Sequence, residues 1–235
     1  MQIPLAVEAI SIYKYVTSSD NKLTILSGLN LAILCGERLA ILGRSGSGKS
    51  TLLGLLAGLD SPSSGKVLIN GEEISALDED GRAAIRGRTM GFVFQSFQLL
   101  PSLTALENVM LPLQLAGNKN AKEQALAALS RVGLEQRLAH YPKQLSGGEQ
   151  QRVAIARAFA PKPAILFADE PTGNLDAVTG QSIIELLFTL NTEAGTTLVL
   201  VTHDTALAGR CQRQLLLQEG KLLELGPDAR DKAAQ

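Results

Sequence analysis

Residues 43–51 read GRSGSGKST, and the spacing Gly43-x4-Gly48-Lys49-Ser50 is that of a loop built to hold phosphate oxygens. Gly46 and Gly48 let the backbone turn its N–H groups inward, and Lys49 brings a cation to the β and γ oxygens of a nucleotide. The Ser50 hydroxyl is the kind of hard oxygen that Mg2+ takes as a ligand. Arg44, Ser45, Ser47 and Thr51 complete the stretch. A second cluster stands in AILFADEP, where Asp169 and Glu170 follow an apolar run. Asp169 suits a metal reached through water, and Glu170 can face a γ-phosphate and polarise the attacking water as a general base. His203, directly after LVLVT, is a candidate for the same phosphate, and equally for a structural hydrogen bond at a strand end.

The stretch LSGGEQQR poses a different question. Ser146 followed at the third position by Glu149 is a capping box that opens the helix GEQQRVAIARAFA. Gly147 and Gly148 in the first turn cost about 1 kcal/mol each against alanine, a poor choice if capping were their only duty. Bare N–H groups at a helix start form an anion site, so the sequence predicts a second phosphate-facing end. With only one Lys49 available, that second end is expected to serve a nucleotide held by another copy of the chain.

These residues need rigid elements behind them. Leu39–Leu42, Ala164–Ala168 and Leu198–Val201 are short, nearly unbroken apolar runs followed by Gly, Asp or His, as in parallel strands covered on both faces. After the first run, Leu52, Leu55, Leu56 and Leu59 fall on one stripe of a predicted helix. KVLINGEEI and LLLQEGKLLEL, with Asn70-Gly71 and Glu219-Gly220 at their centres, predict hairpins of an antiparallel sheet beside the parallel core. Between Ser96 and Ala160 helical patterns dominate, with Pro101, Pro112 and Pro142 as punctuation. The expectation is one α/β domain: a nucleotide-binding core with its β subdomain over 1–95 and 161–235, and a helical subdomain over 96–160.

Bulk properties narrow the classes. A chain of 235 residues with 45% hydrophobic composition can bury its own core, and a net charge of −1 gives no basic stripe for a phosphate backbone, so nucleic acid is not an expected partner. Cys35 and Cys211 have no neighbouring His or Cys at metal spacing and read as reduced thiols of a cytosolic protein. MQIPLAVEAISIYKY lacks the layout of a secretory signal, and no apolar run approaches the ~18–20 residues of a membrane span. Any membrane role is therefore expected to come through a partner chain.

Taken together, GRSGSGKST, Gln95 in FVFQSF, LSGGEQQR, ILFADEP, GNLDAVTG and VTHD resemble, over essentially the whole chain, the ATP-binding subunit of an ABC transporter. FVFQSFQLLPSLTALENVMLPLQLAG and ADEPTGNLDAVTG are similar to the group containing lipoprotein-releasing, macrolide-export and cell-division ATPases. The resemblance implies a P-loop NTPase core with a RecA-like, mainly parallel sheet, and a head-to-tail homodimer with two ATP molecules. Each ATP, with Mg2+, would lie between one chain's Gly43–Thr51 and the other's Ser146–Glu149. It also implies that Gln95 touches Mg2+ and the attacking water, that Asp176 crosses the interface and that His203 holds the γ-phosphate. A permease on a separate chain, at the cytoplasmic face of a bacterial inner membrane, would be the partner. The slot that matches the adenine-stacking aromatic of such proteins falls at Val16, a departure from the family's pattern, and the resemblance leaves the stacking residue open among Tyr13, Tyr15 and Val16. A soluble ATPase acting on nucleic acid or ribosomes is the alternative. About a hundred residues between Lys49 and Ser146, without heptads or cysteine clusters, count against it. A non-hydrolysing module would be expected to lack one of Asp169, Glu170 and His203.

Overall fold

A computed structural model describes residues 3–18 and 21–226. The chain divides into two compact units, Met1–Arg86 with Thr197–Gln235, and Gly87–Thr196. The first unit holds two sheets. Strands β1 (Leu5–Ser18), β2 (Asn21–Leu34), β4 (Ser64–Ile69) and β5 (Glu72–Glu73) form an antiparallel sheet in the order β2-β1-β4-β5. Strand β3 (Arg38–Leu42) runs parallel to both β8 (Thr197–Thr202) and β9 (Arg213–Gln218), and β10 (Lys221–Glu224) closes that edge antiparallel to β9. Leu39, Ala40 and Ile41 and all of β8 are buried, because a central parallel strand presents both faces to the core.

Both predicted hairpins form. Asn70 and Gly71 have φ of 49° and 83°, and Glu219 and Gly220 have 51° and 73°, the left-handed pair that matches the twist of the arms they join. Only the first belongs to the antiparallel sheet. The second sits on the parallel one, since β9 pairs with β3, and its turn rests on β2 through Ser27 N–H donating to Gly220 O at 3.0 Å. Helix α1 (Lys49–Leu56) buries Leu52, Leu53, Leu55 and Leu56 but ends before Leu59, which is exposed. The chain turns away at Gly58, whose φ is 64°. Helix α2 (Glu79–Thr89) follows.

In the second unit, β6 (Met90–Phe94) and β7 (Ile165–Asp169) are parallel partners, in register from Met90 opposite Ile165 to Phe94 opposite Asp169. Helix α5 (Gly147–Phe159) packs on β6, and α3 (Ala105–Leu115), α4 (Ala121–Arg131) and α6 (Ala177–Ala194) pack on α5. Pro112 does not punctuate: it lies inside α3, one turn from the end, where few residues follow the hydrogen bond it deletes. The short helix α7 (Thr205–Ala208) belongs to the first unit. Among the described residues no helix is long and apolar enough to cross a membrane.

Candidate functional site

In the first unit the register of β3 with β8 pairs Leu42 with Thr202, so Gly43 and His203 leave adjacent strands at the same end. That end is where ligands of parallel sheets bind. Gly43 has no room for a side chain: a Cβ there would lie 2.6 Å from Ser47 Oγ and 2.8 Å from Leu217 O. Gly48, the N-cap of α1, has φ 96°, which a residue with a Cβ resists. No side chain caps α1, and its first turn carries no acidic residue, so the partial positive charge of its start is left unneutralised. Lys49 is buried, and its ammonium donates to Gly43 O at 2.8 Å and to Arg44 O at 3.1 Å. The lysine is thus a brace of the loop and not a solvated side chain. Arg44, Ser45, Gly46 and Ser50 are exposed, Ser47, Gly48 and Thr51 half-buried.

His203 is exposed, and the turn after it is fixed by Asp204, whose carboxylate accepts from Ala206 N at 2.8 Å and Leu207 N at 3.1 Å. Of the residues expected near adenine, Tyr13 lies over Gly28, with its hydroxyl 2.9 Å from where a Cβ would stand. Tyr15 pairs with Thr24, and Val16 pairs with Leu23. Val16 and Leu23 are both exposed, and Leu23 stands two residues before Ile25, whose Cγ2 lies 3.0 Å from a Cβ built on Gly48.

The second unit gathers the remaining candidates. Because Phe94 and Asp169 are register partners, Gln95 and Glu170 emerge side by side at the ends of β6 and β7. Glu170 has φ 46°, a left-handed conformation that costs a non-glycine residue about 1–3 kcal/mol and concentrates at functional positions. Gln95 Nε2 donates to Asn174 Oδ1 at 3.1 Å, and Asn174 Nδ2 donates back to Gln95 O at 3.0 Å. Asn174 was not singled out from the sequence; its place two residues before Asp176 in GNLD was the available signal. Asp176 caps α6, accepting from Thr179 N at 3.0 Å. Hydrogen bonds from Thr179, side chain first and then backbone, hold its carboxyl below the usual aspartate range.

Ser146 caps α5 in the expected box: its hydroxyl accepts from Glu149 N at 3.3 Å and Glu149 Oε2 accepts from Ser146 N at 2.8 Å. Glu149 also pairs with Arg137 Nε at 2.7 Å. That guanidinium first, then the Ser146 N–H, keeps its carboxyl below the ordinary glutamate value. The two glycines carry a packing constraint that sequence reasoning missed. A Cβ on Gly147 would approach Leu175 Cδ2 to 3.2 Å, and one on Gly148 would approach Thr179 Cγ2 to 2.6 Å. Their cost to the helix therefore has a cause inside the chain, apart from any anion.

The oxygen donors among the expected metal residues, the Ser50 hydroxyl, the Gln95 amide and the Asp169 carboxylate, are hard ligands of the class Mg2+ accepts. A family model described as ABC transporter matches residues 26–173. The "Uncharacterized ABC transporter ATP-binding protein YbbA" of Escherichia coli (strain K12) is 54% identical over 220 residues, covering 93% of this chain and 96% of that one. The "Lipoprotein-releasing system ATP-binding protein LolD" of Legionella pneumophila (strain Paris) is 50% identical over 213 residues, covering 90% and 94%. Among solved structures, the dimeric post-hydrolysis state of the ATP-binding cassette MJ0796, bound to ADP and Pi, superposes with a TM-score of 0.86 at 43% identity, covering 93% of this chain and 97% of that one. The chain belongs to the ABC transporter family, as one of its ATP-binding, ATP-hydrolysing subunits.

Proposed function

We infer that the protein works as a homodimer that closes on two MgATP molecules and drives a separate membrane permease from the cytoplasmic face of a bacterial inner membrane. Its task is then to export or extract a hydrophobic substrate, such as a lipid or lipoprotein, or to transmit force across the bilayer. The observation that carries the dimer is the presence in one chain of two helix starts flanked by glycine, at Lys49 and at Ser146, of which only the first brings a lysine. The dimeric MJ0796 cassette with ADP and Pi supports the same arrangement. The likeness to a lipoprotein-releasing system's ATP-binding protein supports the hydrophobic cargo.

In this reading Gly43–Thr51 cradles the phosphates, with Lys49 turning from its own loop carbonyls to the β and γ oxygens. Glu170 accepts the proton of the attacking water, and His203 donates to the γ-phosphate as negative charge builds on it. Ser50, Gln95 and Asp169 would hold Mg2+, which supplies charge neutralisation at the phosphates when bound. Ser146–Glu149 of the second copy completes the cradle, and Asp176 lies at the same interface. ATP binds the closed dimer better than the open one, and only that difference can move a partner.

Glu170→Gln tests this. The variant should bind MgATP and accumulate as a dimer in light scattering while hydrolysing at least a hundredfold more slowly, because the base is gone and the cradle remains. Near-normal turnover would remove Glu170 from the mechanism. In the same background Ser146→Arg should abolish the ATP-dependent dimer yet leave nucleotide binding by the monomer; a persistent dimer would refute the shared site.

A further inference from the structure

Helix α5 begins at the Ser146 cap, but two side chains along it reach the loops that follow Gln95 and Glu170. Gln151, fully buried, donates from Nε2 to Pro171 O at 2.5 Å, one residue past Glu170. Arg157, in the last turn, donates from Nη1 to Gln98 O at 2.5 Å and from Nη2 to Phe97 O at 2.9 Å. Phe97 and Gln98 are consecutive residues with side chains in the left-handed region, at φ 59° and 48°. Two such residues in a row do not hold that shape unaided; it persists where the surroundings impose it. The turn's own backbone bonds are few, Phe97 N to Phe94 O at 3.1 Å and Gln98 N to Ser96 O at 2.6 Å.

Arg157 is suited to impose it. Its guanidinium is half-buried, and among the described residues no carboxylate pairs with it, so the two carbonyls are its partners. A rigid fork reaching two successive carbonyls is a geometry that lysine cannot reproduce. The other end of the same helix lies near the same turn: Phe97 Cζ is 3.8 Å from where a Cβ on Gly147 would be.

We propose that Arg157 is a positioning residue for hydrolysis, a latch that fixes the Phe97–Gln98 turn, and with it Gln95, to the helix that starts at Ser146. Gln95 then keeps its working position only while α5 holds the turn. The proposal rests on the reading of Gln95 and Ser146–Glu149 as nucleotide-facing groups.

The test combines kinetics with a measurement independent of ATP. Arg157→Ala should lower kcat about tenfold, the scale of losing charged hydrogen bonds at one site, with KM for MgATP within about twofold because Gly43–Thr51 is untouched. Arg157→Lys should recover only part of the loss. Adding Gln98→Gly to Arg157→Ala should raise kcat at least about threefold, since glycine adopts φ near +48° without a Cβ penalty. In the nucleotide-free proteins, amide exchange over residues 96–99 should accelerate about tenfold in Arg157→Ala and be unchanged elsewhere. If Arg157→Ala does not fold, Arg157→Lys carries both measurements. An unchanged kcat in a folded variant, or unchanged exchange at 96–99, overturns the latch. An inactive wild type would instead count against the ATPase mechanism, and the exchange data would still decide whether Arg157 holds the turn.

Discussion

Replacing Gly148 by alanine separates two accounts of the glycine pair that opens α5. Helix propensity alone favours alanine by up to about 1 kcal/mol. The structure predicts the opposite sign, because the new Cβ would stand 2.6 Å from Thr179 Cγ2, against the ~3.5–4.0 Å of carbon contact. Thr179 cannot swing away freely. Its N–H donates to Asp176 Oδ1 at 3.0 Å, and its hydroxyl bonds the same carboxylate. Forcing a displacement of about 1 Å on a held neighbour costs about 1–3 kcal/mol. Set against the propensity gain, Gly148→Ala should destabilise by about 1 kcal/mol, which lowers the melting temperature of a chain this size by about 2–4 °C. Thr179→Ser keeps the hydroxyl and deletes the methyl. In that background Gly148→Ala should become neutral or stabilising by up to about 1 kcal/mol, a coupling of about 1–2 kcal/mol between the two positions. Urea unfolding midpoints of the four proteins measure the cycle. If alanine stabilises the parent, or costs the same in both backgrounds, Thr179 is not what demands glycine. The need for bare N–H groups would then be the surviving reason.

Three further outcomes follow from individual contacts. Glu149, with its carboxyl held low by Arg137, contributes stability that is complete above the unfolded glutamate value near ~4.3 and is lost as pH falls through the depressed folded value. Arg137→Ala should therefore cost about 0.5 kcal/mol near neutrality at low salt, and the gap to the parent should close in acid; a gap that persists there would mean the arginine acts by packing. Cys35 is exposed, whereas burial pushes the Cys211 thiol up to about 12, so a disulfide reagent at pH 8 should label one thiol in native protein and both in denaturant; rapid labelling of both natively would contradict the burial. Lys49→Ala should lower the melting temperature by about 2–4 °C even without nucleotide, because the ammonium ties Gly43 and Arg44. A solvated lysine would leave it unchanged.

The parallel strands were legible because burial on both faces writes them as unbroken apolar runs, as in Leu39–Leu42 and Leu198–Val201. The hairpin turns were legible because Asn-Gly and Glu-Gly put glycine where φ must be positive. Strands β1 and β2 left no comparable signal: their pairing shifts register between Ala9 and Ile12 and again before Lys14 and Tyr15, and each shift breaks the alternation that marks a strand. That the second hairpin joins the parallel sheet depends on β9 meeting β3, a pairing far apart in sequence that local pattern does not encode. Leu59 fitted the stripe of α1 by spacing, but helix spacing says nothing about where Gly58 turns the chain.

The residues hardest to read were those whose type argues against their conformation. Phe97, Gln98 and Glu170 all take positive φ, and all follow within four residues of the carboxyl ends of β6 and β7. None is the glycine or asparagine that local rules would choose there. At about 1–3 kcal/mol each, three such residues consume a sizeable fraction of the ~5–15 kcal/mol by which a domain is stable. Arg157 and the Gln95–Asn174 pair supply compensating bonds around the first two, and Gly173 N–H donating to Glu170 O at 3.0 Å does so at the third. A fold under selection for stability alone would replace them with glycine. Their presence fits the proposed roles instead: a carboxylate that would activate water, and a turn that Arg157 would hold to its helix.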